Sequence, residues 1–283
     1  MIQYDGYISD ANIRVRKLTM FNSEPQREPT GQWKLISEKI AVPSPTGLVR
    51  RPRLEILLKQ SLNSCTSTVI SGRAGSGKTT LAIDFAEQSG RAIAWYKVDA
   101  PETKAEIFFN YLIASIRAQR PGFDGSALLS RLENEPDLSQ TSHLAEVFIF
   151  ELEREPGGPL LVVIEDLHLV CDADWLVPFF RRLLPLLPAD VHMLITSRTM
   201  PPAPLWRMRS KQTLSVIDEQ TLSFTREEAF KLFERYGLTK EQANIALAHS
   251  HGRAAALSSL AATLHFAETE LMRASSYPQL KAV

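Results

Sequence analysis

Gly72-Arg73-Ala74-Gly75-Ser76-Gly77-Lys78-Thr79 is the stretch on which the fold turns. It satisfies the pattern G-x-x-x-x-G-K-[ST], a loop whose backbone N–H groups surround the phosphates of a nucleoside triphosphate. Upstream, Thr66 to Ser71 carries the β-branched run Thr68-Val69-Ile70 and predicts a strand. Downstream, Leu81, Ala82, Phe85 and Ala86 form a helical stripe closed by Gly90. An ordinary glycine-rich turn would match the short pattern alone; the strand before it and the helix after it make the signal specific. Glycines are needed because a main chain wrapped around phosphates turns its amides inward, often at positive φ, with no Cβ in the way. The dipole of the following helix adds to the attraction. Lys78 is expected to neutralise the β- and γ-phosphates and the Thr79 hydroxyl to ligate Mg²⁺. Gly72, Ala74, Gly75, Ser76, Gly77, Lys78, Thr79 and Thr80 are thus the expected phosphate-binding residues.

Outward from this loop, strands alternate with helices. Arg53 to Gln60 predicts a short helix before the first strand, with Pro43, Pro45 and Gly47 punctuating the entry to the core. Ala92 to Val98 reads as the second strand, and Thr103 with Glu106 as a capping box opening a helix through Ile107, Phe108, Tyr111 and Leu112. A further helical region near Leu144 to Leu152 stops at Pro156-Gly157-Gly158-Pro159. Leu160-Leu161-Val162-Val163-Ile164 is an unbroken apolar run, as a strand covered on both faces of a parallel sheet requires. Trp175 to Leu187 predicts a helix, Val191 to Ile195 a fourth strand and Thr213 to Ile217 a fifth. The expected fold is α/β, a parallel sheet sandwiched by helices. From Ser223 onward the capping boxes Thr225/Glu228 and Thr239/Gln242 open helices and no strand pattern follows, so a small helical subdomain is expected. The expected division is a partly disordered leader or linker over 1–39, a nucleotide-binding domain over 40–218 and the helical subdomain over 219–283.

With 44% hydrophobic and 23% charged residues, the chain has the composition of a globular protein with a sizeable core. Its 32 basic and 32 acidic residues leave no global field to favour a polyanion or an acidic membrane surface. Cys65 and Cys171 are far apart and lack metal-ligand spacing, which argues against a disulfide framework or a zinc site. The first residues lack the basic start and apolar run of a signal peptide, and no apolar run reaches the roughly 18 residues of a membrane span. A cytoplasmic protein without a membrane partner is the expectation.

A triphosphate-binding loop also needs a carboxylate at the end of a neighbouring strand to hold the metal and, in hydrolases, to orient water. Glu165-Asp166, directly after the apolar strand, meets this need, one acid towards the metal and one towards the water. A solvated acidic pair at a strand terminus is the alternative. The fourth strand runs into Thr196-Ser197-Arg198, where the Arg198 cation would reach the γ-phosphate. His168, just past the acids, fits either a partner to them or a satisfied loop histidine.

These elements together resemble the nucleotide-binding module of the signal-transduction ATPases with numerous domains, the STAND ATPases, in the branch of the maltose-regulon activator and large LuxR-type regulators. The resemblance runs from about Pro43 to Leu264. It is carried by Leu48-Val49-Arg50-Arg51-Pro52-Arg53-Leu54, the P-loop, Trp95-Tyr96-Lys97-Val98-Asp99, Glu165-Asp166-Leu167-His168-Leu169 and Thr196-Ser197-Arg198. Leu222-Ser223-Phe224-Thr225-Arg226-Glu227-Glu228-Ala229 and Gly252-Arg253-Ala254-Ala255-Ala256-Leu257 complete it. The resemblance implies a P-loop NTPase of the additional-strand (ASCE) type that binds ATP or ADP with Mg²⁺. It implies Val49 and Arg50 near the adenine, Thr79 with Glu165 and Asp166 at the metal, and Arg198 as sensor. Gly252 to Ala254 would meet the nucleotide from the helical subdomain. Two positions depart from the family: Glu165 stands where Asp is usual, and Ala254 where proline is common across the wider class.

The resemblance further implies a slow ATPase switch for signalling or transcription, in which ATP holds an open, self-associating state and ADP a closed one. The family's sensor repeats and DNA-binding domain are not visible in this sequence. Two other readings share the P-loop: a small-molecule kinase, which needs an acceptor pocket and an arginine-rich lid, and a module that holds nucleotide without turnover. Tyr96 before Lys97-Val98-Asp99 departs from the guanine-reading N/T-K-x-D pattern, in line with ATP.

Overall fold

β1 (Ser67–Ser71), β2 (Ala92–Lys97), β3 (Leu160–Glu165), β4 (Val191–Ser197) and β5 (Leu214–Ile217) pair side by side, every pair parallel, in the spatial order β2-β3-β4-β1-β5. β4 thus stands between the strand that leads into the P-loop and the strand that ends in the acidic pair, which is the additional-strand arrangement of P-loop NTPases. The structure is a computed structural model and describes residues 35–44, 49–134, 141–154, 157–211 and 213–275. Most of the leader expected over 1–39 lies outside them, as do Pro45, Gly47, Pro156 and the last residues of the chain.

The three central strands are buried along their whole length: β3 is an apolar run that has no polar side to give to water, while β1 and β4 also bury Ser67, Thr68, Ser71, His192, Thr196 and Ser197. At β2 the alternation of side chains across the sheet separates two cores. Trp95 packs with α1 (Pro52–Ser64) and α2 (Lys78–Gln88), in a cluster with Leu54, Leu58, Leu81, Phe85 and Leu194. Its neighbour Tyr96 points the other way, 5.2 Å from Phe108 and 5.6 Å from Tyr111 of α3 (Ala105–Arg117). On that face Phe108 and Phe109 meet Trp175, and Phe109 meets Phe179 of α6 (Leu176–Leu183), at ring separations of 4.7–5.5 Å. The remaining cover on this side is α4 (Ser126–Asn134), which the sequence pattern missed, and α5 (Thr141–Arg154).

One expected cap is displaced. Thr103 does not cap α3, whose N-cap Lys104 makes no side-chain bond. The capping box lies one short turn earlier, between Asp99 and Glu102. Glu102 is held there because its carboxylate also accepts from the Tyr96 hydroxyl and pairs with Lys39, a set of partners available only through the tertiary fold. The other two boxes occur as the sequence predicts, Thr225/Glu228 at α9 (Arg226–Glu234) and Thr239/Gln242 at α10 (Lys240–Ser250). Before them lie the single turns α7 (Ala203–Trp206) and α8 (Glu219–Leu222). After them comes α11 (Ala254–Ser275), which shares with α9 and α10 a core of Leu232, Phe233, Leu238, Ala246, Leu257 and Ala261.

Candidate functional site

Register fixes where the chemistry gathers. Ser71 pairs with Ser197 and Ile164 with Ile195, so β1, β3 and β4 end level with one another at the carboxyl edge of the sheet. The P-loop leaves β1 there, Glu165 and Asp166 leave β3, and Arg198 follows β4, at the edge where open α/β sheets bind ligands. The loop itself closes through glycines in the left-handed region, Gly75 at φ 78° and Gly77 at φ 93°, the latter being the N-cap of α2. Gly72 donates its N–H to Ser197 O at 3.1 Å and so ties the loop to β4.

Lys78 is only 6% exposed, and its ammonium folds back onto the loop, donating to Gly72 O at 2.6 Å and Arg73 O at 3.1 Å. Burial pulls its pKa below the usual lysine value; among nearby charges Asp166 opposes this most strongly and Arg198 reinforces it. The Thr79 hydroxyl donates to Glu165 Oε1 at 2.5 Å. Glu165 is 3% exposed and its second oxygen, Oε2, is buried without a hydrogen-bond partner. A hydroxyl beside a buried carboxylate with an unpartnered oxygen is the donor set a hard divalent cation takes. Asp166 adopts a left-handed φ of 59°, and its N–H donates to Thr196 Oγ1 of β4 at 3.0 Å. This turn aims the two acids differently, Glu165 at Thr79 and Asp166 towards Lys78 and His168, whose Nδ1 lies 3.7 Å from Asp166 Oδ1. Burial lowers the pKa of His168; Asp166 opposes this, while Arg198 and Lys78 add to it. Arg198 is exposed and acts on both neighbours. Lys78, Thr79, Glu165, Asp166 and Arg198 are therefore brought to one place.

The helical segment closes over the loop from the other side. Ala255, in the first turn of α11, donates its N–H to Gly75 O at 2.9 Å, and the Arg253 guanidinium donates to Ala74 O at 2.5 and 3.1 Å. Arg73 is held by Glu219, which accepts from its N–H at 3.1 Å and its side chain at 2.7 Å. Three successive P-loop residues are thus clasped by segments that follow the sheet.

Beside this clasp is a cavity of about 200 Å³ lined by Val49, Arg51, Gly77, Thr80, Leu81, Asp84, Phe224, Ala254, Ala255 and Ser258. Val49 and Arg51 are part of this lining, whereas Arg50 is exposed and outside it. Arg51 donates to Leu222 O, to Ser223 O at 3.2 Å and to Glu228 Oε2 at 3.3 Å, and its guanidinium lies 4.3 Å from the Phe224 ring. Gly252 is also outside this lining. It lines a different cavity, of about 330 Å³, on the flank of Arg73, Ser76 and Glu219. There its φ of +75° and its contact with the Phe224 backbone, 3.0 Å from where a Cβ would stand, give it a turn-forming role. Ala254 and Ala255, not Gly252, reach the first cavity. Phe224 belongs to the stretch Leu222 to Ala229 that carries the resemblance, whereas Asp84 and Ser258 lie in no quoted motif, although Asp84 follows Thr80 at the i+4 spacing that places both on one helix face.

Residues 50–196 match the family model described as AAA ATPase domain, which covers more than half of the chain. The chain belongs to this family. Among curated relatives, this AAA ATPase domain is 33% identical over 187 residues to the HTH-type transcriptional regulator MalT of Yersinia pestis (strain Pestoides F), covering 66% of the chain and 20% of the relative. It is likewise 33% identical over 168 residues to MalT of Yersinia enterocolitica serotype O:8, covering 59% of the chain and 18% of the relative. The chain thus spans about one fifth of the length of these regulators. A solved STAND protein with a tetratricopeptide repeat sensor, from Pyrococcus horikoshii, is similar at 17% identity and a TM-score of 0.49, over 77% of this chain and 30% of that one. The AAA ATPase family match and the MalT relatives agree with the resemblance carried by the sequence motifs, and the parallel α/β sheet agrees with the expected fold. Among the described residues no helix is long and apolar enough to cross a membrane.

Proposed function

We propose that this AAA ATPase domain is the ATP-binding, slowly hydrolysing switch of a transcriptional or signal-transduction regulator. In this reading residues 40–218 bind the nucleotide, residues 219–283 form a helical subdomain that responds to it, and the protein works in the cytoplasm. The observation that carries the proposal is the clasp. The carbonyls of Ala74 and Gly75 belong to the loop that would surround the phosphates, and their hydrogen-bond donors belong to Arg253 and to α11. A change in phosphate occupancy therefore acts directly on the seating of α11, which is what a two-state element needs.

The loop amides and Lys78 would hold the phosphates, Lys78 first giving up its bonds to Gly72 O and Arg73 O. Thr79 and Glu165 would hold Mg²⁺ with Asp166 nearby, and a bound cation would neutralise charge on the β- and γ-phosphate oxygens. Asp166 would orient the attacking water and Arg198 would meet the γ-phosphate. The extra methylene of Glu165 does not remove it from Thr79, so the pair stays placed to share a cation. ATP-dependent self-association belongs to the same proposal, since α11 unseated from the loop would change the surface offered to a second copy.

Calorimetry with ATP and Mg²⁺ tests binding, single-turnover phosphate release tests hydrolysis, and sedimentation with a non-hydrolysable ATP analogue against ADP tests the switch. Binding without phosphate release on any timescale would leave a nucleotide-holding module, and transfer only to an added acceptor would indicate a kinase.

A further inference from the structure

We propose that Asp84 reads the base: its carboxylate accepts a hydrogen bond from the 6-amino group of adenine and repels the 6-oxo group of other purines. The assignment rests on the nucleotide reading given above and adds to it the residue that sets base preference. Asp84 lines the 200 Å³ cavity yet is only 6% exposed. Among the described residues its one side-chain hydrogen bond is from Gln88 Nε2 to Oδ1, at 2.8 Å. A carboxylate has about four acceptor positions, and the bond from Gln88 takes one, which leaves the others free for a ligand's donor. The one basic residue in the lining is already engaged: the Arg51 guanidinium is given to Leu222 O, Ser223 O and Glu228.

Position separates base from phosphate and sugar. The phosphates belong to the loop at the amino end of α2, and a carboxylate repels them. Thr80 and Asp84 both line the cavity and lie one helical turn apart, about 6 Å along the axis, Asp84 being the farther from the loop. A sugar attached to the last phosphate spans that interval and delivers the base to the deeper residue. The walls there are Val49, Leu81, Phe224 and the alanines of α11, apolar surfaces suited to the faces of a flat ring. Thr80 and Ser258 add hydroxyls to this lining, but Asp84 is its one carboxylate, and a hydrogen bond to a charged group is the kind that discriminates when a ligand lacks the donor.

The test is competitive titration of the full chain with ATP, inosine triphosphate, GTP and 2′-deoxy-ATP, on the native protein and on Asp84→Asn. ATP is expected to bind on the order of 10- to 100-fold more tightly than inosine triphosphate or GTP, and 2′-deoxy-ATP to stay within about threefold of ATP. In Asp84→Asn, whose amide can turn to donate to a 6-oxo group, the ratio of ATP to inosine triphosphate should fall to about threefold or less. Equal binding of ATP and inosine triphosphate by the native protein overturns the assignment without needing the variant. So does tighter binding of GTP, or a penalty for 2′-deoxy-ATP that Asp84→Asn removes, which would put the carboxylate on the ribose. Failure of ATP itself to bind the folded protein sinks the nucleotide reading and this assignment together, an outcome distinct from the others.

Discussion

Gly75→Ala probes the clasp between loop and helix. Gly75 sits at φ +78°, where a Cβ would stand 2.8 Å from the Ala255 Cβ, closer than real Cβ atoms approach. The left-handed conformation alone costs a residue with a Cβ about 1–2 kcal/mol. Relief of the clash requires α11 to back away, which breaks the Ala255 N–H to Gly75 O bond and loosens Arg253 from Ala74 O, a further ~1–2 kcal/mol. The total of roughly 2–4 kcal/mol corresponds to a fall in Tm of roughly 3–7 °C for a chain of this size. Gly90→Ala is the internal control, because Gly90 has a similar φ of +66° and nothing within 4 Å of its Cβ position; it should show the conformational cost alone. Thermal unfolding without nucleotide measures the difference, and hydrogen exchange at the Ala255 amide measures the unseating. Equal Tm losses in the two variants, with the Ala255 amide as protected as in the native protein, would refute the idea that loop and helix are mechanically joined.

Glu165→Gln removes a buried charge that has an unpartnered oxygen, so the metal-free protein should become more stable by about 1 kcal/mol while Mg²⁺-dependent ATP affinity falls at least tenfold; denaturant melts and calorimetry read the two opposite signs. Arg51→Ala strips donors from Leu222 O, Ser223 O and Glu228 and should cost about 3 kcal/mol, with exchange rising first in α9. His192 is buried in β4 with its pKa lowered to about 4 by burial and by Arg91. Its folded pKa is below the unfolded value near 6.5, so the unfolded chain binds the extra proton between these limits and stability falls as pH drops from about 6.5 to 4, by about 3 kcal/mol. His192→Gln should lose this component, visible as a shallower pH dependence of urea midpoints over that window.

The strands were legible because each is a short run of apolar or β-branched residues, and β3 is the continuous apolar run that a sheet buried on both faces demands. The P-loop and the acidic pair were legible because their residue types are imposed by phosphate and metal chemistry. Adjacent residues that differ only in direction were less so. Arg50 and Arg51 are the same residue type, and Pro52 at the first helical position makes Arg51 the N-cap, which settles which guanidinium turns inward. The same limit explains the cap before α3: Thr103/Glu106 and Asp99/Glu102 both fit a box, and contacts from Tyr96 and Lys39, remote in sequence, select the second. Gly252 has the form of a ligand-approaching glycine, yet the space beside it is filled by the backbone of Phe224. Asp84 carried no motif, and only the cavity wall gives it a role.

The helix seated on the P-loop has a mechanical corollary. With 22 residues, α11 is about 33 Å long, and its backbone hydrogen bond to the loop comes from its first turn. A pivot of about 5° at that end sweeps the opposite end through roughly 3 Å at that length. Motion too small to alter the sheet would thus arrive, as at the tip of a lever arm, magnified enough to make or break a contact.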